Sequence, residues 1–182
     1  MTDARDVVIW SADVDSEETL RQRLLESPEL RLIKLDRLFL TSPGPSVIGS
    51  VQDAGYRVFV DAKIIEIPDK IIAIAEKHLA YRPWMLNVMA HSLSSGRLTD
   101  EDPKRIDALK RFAGACLEVG THPCAVTLLT SKDHMTARDE FNGRSAEEQV
   151  LYYVEFLVAA GFTHVVCSAA ELAAIRSEST FD

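Results

Sequence analysis

The sequence lacks the features that mark several large classes of protein. It has no long basic run, and its 182 residues carry a net charge of −8. Nucleic acids and anionic membrane surfaces are therefore not expected partners. No apolar run approaches the ~20 residues that a membrane-spanning helix needs. The polar N-terminus has no signal-peptide layout, so we expect a cytoplasmic protein.

Cysteine is scarce as well. The three cysteines, Cys116, Cys124 and Cys167, are odd in number and form no Cys-x-x-Cys pair. This argues against a disulfide framework and against a zinc site. The five histidines show no spacing typical of metal ligands, so we predict no metal centre. We interpret the thiols as reduced, buried side chains.

The composition is that of an ordinary globular protein, with 47% hydrophobic and 26% charged residues. A chain of this length can bury a sizeable core in one domain. It contains neither a linker nor an internal repeat. We therefore predict a single domain over residues 1–182.

Apolar runs and helical patterns alternate along the chain. Six apolar runs predict strands, at Val7–Trp10, Leu30–Leu35, Tyr56–Ala62, Trp84–Met89, Ala125–Leu129 and His164–Cys167. Each is followed by a helical pattern, which gives six β-α units and implies a parallel sheet with right-handed crossovers. A six-stranded doubly wound sheet fits the length, whereas a complete barrel needs two more units. Periodicity alone does not choose between them.

Several residues predict where helices begin and end. Ser16 is typical of an N-cap, and Ser145 with Glu148 predicts a capping box. Ser168 with Glu171 predicts a second one. Glycines are typical of helix C-termini and end three of the predicted helices, at Gly55, Gly120 and Gly161. Two polar segments, 92–103 and 132–144, are interpreted as loops.

A charged segment follows the third apolar run. Asp61 and Lys63 are two residues apart, so their side chains fall on the same side of an extended chain. Desolvating two charges is costly unless they are paired or used. Parallel α/β enzymes usually place their chemistry where strands end. The residues alone leave open whether this is a functional site or a structural ion pair.

Several stretches resemble one known family. The segment Val58–Pro68 resembles an Asp-x-Lys-x-x-Asp-Ile-Pro signature, and Leu32–Leu35 resembles a strand that bears an active-site lysine. Val126–Ser131 resembles a strand whose final serine meets a pyrimidine, and Gly143–Arg176 matches in order. On these residues the chain resembles the orotidine 5′-monophosphate decarboxylase family, whose members are (β/α)8 barrels that make UMP in pyrimidine biosynthesis. The resemblance implies a TIM-barrel-type α/β fold in which six of eight β-α units are visible.

The resemblance also implies roles for particular residues. Lys34, Asp61 and Lys63 would form a charge network, with Lys63 protonating C6 of the pyrimidine. Position 66, here Glu66, would serve the site of a partner subunit, which implies a homodimer. The ligand would be a nucleotide or sugar phosphate, and no cofactor would be needed. The expected substrate-binding residues are Asp13 and Lys34 at the ribose and Ser131 at the base.

The chain departs from the family pattern at specific places. Glu66 stands where the family has aspartate, Lys70 where it has a threonine, and Met89 where it has a histidine. The seventh and eighth β-α units have no counterpart, so either the sequence is incomplete or the fold closes another way, such as by dimerisation. Two functions follow: a decarboxylase that converts orotidine 5′-phosphate to UMP, or a repurposed or inactive homologue that binds a nucleotide or sugar phosphate.

Overall fold

The computed structural model describes residues 3, 6–41, 44–91, 103–128 and 143–178. Within these residues, six strands alternate with helices. The strands are β1 (Ile9–Ser11), β2 (Leu32–Asp36), β3 (Arg57–Ile64), β4 (Met85–Met89), β5 (His122–Val126) and β6 (His164–Val166). The helices are α1 (Glu17–Glu26), α2 (Arg37–Thr41), α3 (Ser46–Asp53), α4 (Pro68–Leu79), α5 (Pro103–Glu118), α6 (Ala146–Ala159) and α7 (Leu172–Glu178).

The strand order decides between the two predicted architectures. The strands pair in parallel in the order β1-β2-β3-β4-β5-β6, so each strand neighbours the next one in the sequence. A doubly wound sheet would reverse direction at a switch point, and this order does not. The sheet instead curls into a half-barrel with helices between its strands. The predicted TIM-barrel-type fold is therefore confirmed.

Alternating side chains divide the sheet into two faces. Residues such as Ile33, Val60 and Leu86 pack against the helices in the main hydrophobic core. Phe59, Met85 and Cys124 form a separate small cluster on the concave face. Residues two positions further along the same strands, including Asp61, share that concave face because strand side chains alternate.

The pairing of β3 with β4 contains a bulge. Val60 pairs with Leu86, and the next pair joins Ile64 to Val88. Three residues of β3, Asp61 to Lys63, therefore lie opposite Asn87 alone. We call residues 61–63 the β3 bulge. Bulges re-aim side chains and often lie beside functional sites.

Helix termini follow most of the predicted signals. The Ser16 hydroxyl caps α1, and Ser145 with Glu148 forms a complete capping box at α6. Gly55, Gly120 and Gly161 all adopt positive φ after a helix, as predicted. The prediction of a second capping box was wrong in detail. The Glu171 carboxylate accepts the Ser168 amide hydrogen, but the Ser168 hydroxyl caps Ala170, because residues 169–171 form a turn before α7.

Strand boundaries differ from the predictions by one or two residues at five strands and by three at the fifth. The first strand begins at Ile9, two residues later than expected, and Val7 and Val8 are exposed before it. The fifth begins at His122 rather than Ala125. Pro123 lacks an amide hydrogen, which is unfavourable in a central strand, yet it pairs with Leu86.

A short helix, α2, was not predicted. The backbone N–H of Phe39 donates to the Asp36 carboxylate at 2.8 Å, which caps the helix directly after β2. The two predicted loops, 92–103 and 132–144, lie largely outside the described residues. No helix within the described ranges has both the length and the apolar character needed to cross a membrane.

Candidate active site

A group of charged side chains lies on the concave face. Lys34 of β2 pairs in register with Phe59 of β3, and Asp61 stands two residues further along on the same face. The Lys34 ammonium donates to Asp61 Oδ2 at 2.8 Å. The Lys63 ammonium donates to the same oxygen at 2.6 Å, as the two-residue spacing predicts for a shared face. Two lysines, one on β2 and one on β3, thus bind the same carboxylate oxygen.

Burial differs across this group in a way that matters for chemistry. The Asp61 side chain is 7% exposed, whereas Lys34 is 23% and Lys63 40% exposed. The negative charge is therefore enclosed, and the Lys63 ammonium is the most accessible of the three. One carboxylate and two ammonium groups give the group a net positive charge, which suits an anionic ligand despite the acidic chain as a whole.

Asn87 of β4 completes the group and was missed by sequence reasoning. Its Nδ2 donates to Asp61 Oδ1 at 2.6 Å, and its Oδ1 accepts the backbone N–H of Lys63 at 2.7 Å. The signal was present, because Asn87 is a lone polar residue in the apolar run of β4 and buried polar groups need partners. We call Lys34, Asp61, Lys63 and Asn87 the Asp61 cluster.

The Asp61 cluster fixes the charge of its carboxylate. Burial alone would raise the pKa of Asp61. Hydrogen bonds from Lys34, Lys63 and Asn87 outweigh burial and hold the pKa below its ordinary value of 3.8. Asp61 is therefore ionised at neutral pH.

This pKa makes stability depend on pH in a defined direction. Because folding lowers the pKa of Asp61, its stabilising contribution is present above about pH 3.8 and is lost as the pH falls through the folded value. Asp61→Asn should lower the free energy of unfolding by about 1–3 kcal/mol at neutral pH. Urea unfolding of both proteins should give a difference that is constant from about pH 8 to pH 5 and shrinks below about pH 4. A difference that stays constant into strong acid would contradict this assignment.

Apolar side chains form the floor beneath the Asp61 cluster. Phe59, Met85 and Cys124 pack together, with Trp84 against them. Burial raises the pKa of Cys116 to about 12, and burial followed by the Asp61 charge also raises that of Cys124. Both thiols are buried and free, as predicted, while Cys167 is only half-buried. Burial therefore keeps both thiols protonated and unreactive at neutral pH.

Glu66 is exposed in the short loop between β3 and α4. It lines a cavity of about 150 Å³ together with Arg37, Lys63 and His78. The contribution of Glu66 to the site of a partner subunit stays a prediction. The exposure of the Glu66 side chain is compatible with such a contact.

The predicted substrate-binding residues are placed unevenly. Lys34 belongs to the Asp61 cluster. Asp13 is exposed in the loop after β1, at the same edge of the sheet, and accepts hydrogen bonds from the Ser11 hydroxyl at 3.1 Å. Ser131 lies outside the described residues. Met89, at the end of β4, is buried. Across the described part of the chain, no three His, Cys, Asp or Glu side chains gather as metal ligands would.

Comparisons with curated proteins find relatives over most of the chain. No protein-family model matches. The orotidine 5′-phosphate decarboxylase of Moorella thermoacetica is 33% identical over 177 residues, which are 95% of this chain and 68% of the relative. Those of Chromohalobacter salexigens and Alkalilimnicola ehrlichii are 30% and 32% identical, over 90% and 82% of this chain. The chain spans 64% and 60% of the length of these last two relatives.

Solved structures give the same picture. The orotidine 5′-phosphate decarboxylase of Lactobacillus acidophilus matches with a TM-score of 0.74 and 26% identity, over 93% of this chain and 75% of that one. An uncharacterised conserved protein from Geobacillus kaustophilus matches with a TM-score of 0.75 and 24% identity, which shows the fold alone.

Proposed function

The chain belongs to the orotidine 5′-phosphate decarboxylase family, and from this premise we propose that it converts orotidine 5′-phosphate (OMP) to UMP and carbon dioxide. The observation that carries the proposal is the Asp61 cluster, in which an enclosed, ionised carboxylate lies between two lysine ammonium groups. A fixed cation beside the carbon that becomes negative stabilises the transition state of decarboxylation, and Lys63 is the most accessible cation of the cluster.

The proposed reaction breaks the bond between C6 of the pyrimidine and its carboxyl group. The electron pair stays on C6 as carbon dioxide leaves. The Lys63 ammonium stabilises this developing negative charge and then donates its proton to C6, which forms the C–H bond of UMP. Lys63 then regains a proton from water. Because both electrons of the broken bond stay on C6, no oxidant or reductant takes part.

Asp61 has two tasks in this proposal. Through Oδ2 it holds both ammonium groups at 2.6–2.8 Å, which aligns them for the reaction. It also places a negative charge beside the substrate carboxylate. That repulsion is relieved when carbon dioxide departs, because carbon dioxide is neutral.

The remaining residues would bind the substrate. Lys34 and Asp13 would contact the ribose and Ser131 the base. Two copies would associate, so that Glu66 of each serves the site of the other. The exposure of Glu66 in the loop after β3 supports this arrangement.

The direct test is loss of OMP absorbance together with formation of UMP. We expect turnover by the purified chain, with specific activity that falls on dilution if two copies share each site. No turnover, together with no protection by UMP against thermal unfolding, would exclude the decarboxylase function. Activity that is unchanged after complete dissociation would exclude a shared site.

A second candidate is a repurposed homologue that binds a nucleotide or sugar phosphate without decarboxylation. The buried thioether of Met89 favours it, since the family has a polar histidine at this position. The extra methylene of Glu66 also favours it, because a carboxylate moved by about 1 Å can cost about 100-fold in rate. Protection by UMP without any turnover of OMP would favour this candidate.

A further inference from the structure

Asn87 connects to two different parts of the β3 bulge. It is fully buried, with none of its surface exposed, in a strand whose other members are apolar. Its amide nitrogen reaches the Asp61 side chain at one end of the bulge, and its carbonyl oxygen reaches the Lys63 backbone at the other. Both polar atoms of the side chain are thus used within the candidate site.

The backbone at Lys63 needs such a partner. The β3–β4 pairs stop at Val60 and resume at Ile64, so the Lys63 N–H lies where the ladder is interrupted. Lys63 has a φ of 43°, in the left-handed region that side-chain-bearing residues seldom occupy. The Asn87 carbonyl accepts the Lys63 N–H at 2.7 Å and holds the backbone in this conformation.

The Asp61 carboxylate needs orientation as well. Asn87 binds Oδ1, while Lys34 and Lys63 both bind Oδ2. Without the Asn87 amide only Oδ2 would be held by these contacts, and the carboxylate plane could turn about that oxygen. Because the donor and acceptor of Asn87 are distinct atoms, one amide orientation satisfies both contacts.

We propose that Asn87 is a positioning residue that sets the direction of the Asp61 carboxylate and the backbone of Lys63 at once. Its catalytic consequence rests on the proposed decarboxylase function, but its structural part does not. Asn87 touches neither reacting carbon nor leaving group in this proposal, and it acts through Asp61 and Lys63.

The test uses two variants of the full chain, Asn87→Leu and Asn87→Asp. Losing the amide donor removes one interaction that favours the charged carboxylate, so the pKa of Asp61 should rise in Asn87→Leu. It should rise further in Asn87→Asp, where two carboxylates face each other and titrate as a pair. The carboxyl carbon signal of Asp61, followed by nuclear magnetic resonance against pH, measures both shifts. The amide signal of Lys63 should move in both variants.

Thr121→Val is the matched control. The Thr121 hydroxyl is also buried and donates to the Pro83 carbonyl at 2.7 Å, near the start of β4 and away from Asp61. Its loss should lower the melting temperature without moving the Asp61 titration. Should Asn87→Leu fail to fold, Asn87→Ser supplies the same readouts, because serine is too short to bridge the bulge.

A failure of this proposal can be distinguished from a failure of the proposed decarboxylase function. If the wild type decarboxylates OMP, Asn87→Leu should lower kcat about 100-fold and change KM little, as expected for misplaced catalytic groups. If the wild type does not decarboxylate OMP, the titration of Asp61 in the Asn87 variants still tests whether Asn87 positions the carboxylate. An Asp61 pKa and Lys63 amide signal that stay unchanged in folded Asn87 variants, or that move equally in Thr121→Val, would overturn the proposal.

Discussion

Replacing Lys63 with methionine should lower kcat for OMP decarboxylation by at least about 1,000-fold. The variant removes the proton donor, an effect worth about 10²–10⁴ in rate, and the cation beside C6, worth about 10²–10³. Methionine keeps the length and apolar stem of lysine, so packing around the bulge changes little. Rates from OMP absorbance and the affinity for UMP give the two quantities needed.

The matched control for this variant is Lys110→Met. Lys110 is exposed on α5 and belongs to no part of the candidate site, so its loss should leave kcat within about twofold of wild type. Circular dichroism and the melting temperature establish that both variants fold. A folded Lys63→Met protein that retains a tenth or more of wild-type kcat would remove Lys63 from the mechanism.

The second large effect is expected at Asp61, where Asp61→Asn should separate binding from catalysis. The rate should fall by about 100-fold or more, because the two ammonium groups lose the charge that aligns them. OMP should bind more tightly relative to UMP than it does in wild type. Only OMP carries the carboxylate that Asp61 repels, so the ratio of the two affinities isolates that repulsion.

Calorimetric binding of OMP and UMP to Lys63→Met, with and without Asp61→Asn, gives this ratio, because OMP is consumed only slowly in the Lys63→Met background. Both nucleotides gain from the added net positive charge, and that common gain cancels in the ratio. A slower enzyme with an unchanged ratio would mean that Asp61 only aligns the lysines. An unchanged rate would remove Asp61 from the mechanism altogether.

The sequence predicts contacts that depend on short spacing better than contacts that depend on register. The shared face of Asp61 and Lys63 follows from strand alternation, and the caps at Ser16 and Ser145 follow from local helix-capping motifs. The Lys34–Asp61 contact requires Lys34 to pair with Phe59, and no local pattern fixes that register. The Lys34–Asp61 contact was expected only from the resemblance to a known family.

The features that were missed share a physical cause. The β3 bulge and the left-handed backbone of Lys63 depend on Asn87, which lies 24 residues away in the sequence. Strand β5 was misplaced because local propensity disfavours proline in a ladder, and tertiary pairing of Pro123 with Leu86 overrode it. Sequential strand order, which excludes the doubly wound sheet, is likewise a property of the whole fold.

The number of extra residues in the β3 bulge limits which insertions and deletions this strand can accept. From Val60 to Ile64 the chain advances four positions, while its partner advances two, from Leu86 to Val88. The excess is an even number, so Val60 and Ile64 both face the helices, and Asp61 and Lys63 both face the concavity. Deleting or inserting one residue here would exchange the two sets, burying charge against the helices and exposing the core. Only length changes of two preserve the sidedness, so this stretch is far less tolerant of single-codon insertions and deletions than of substitutions.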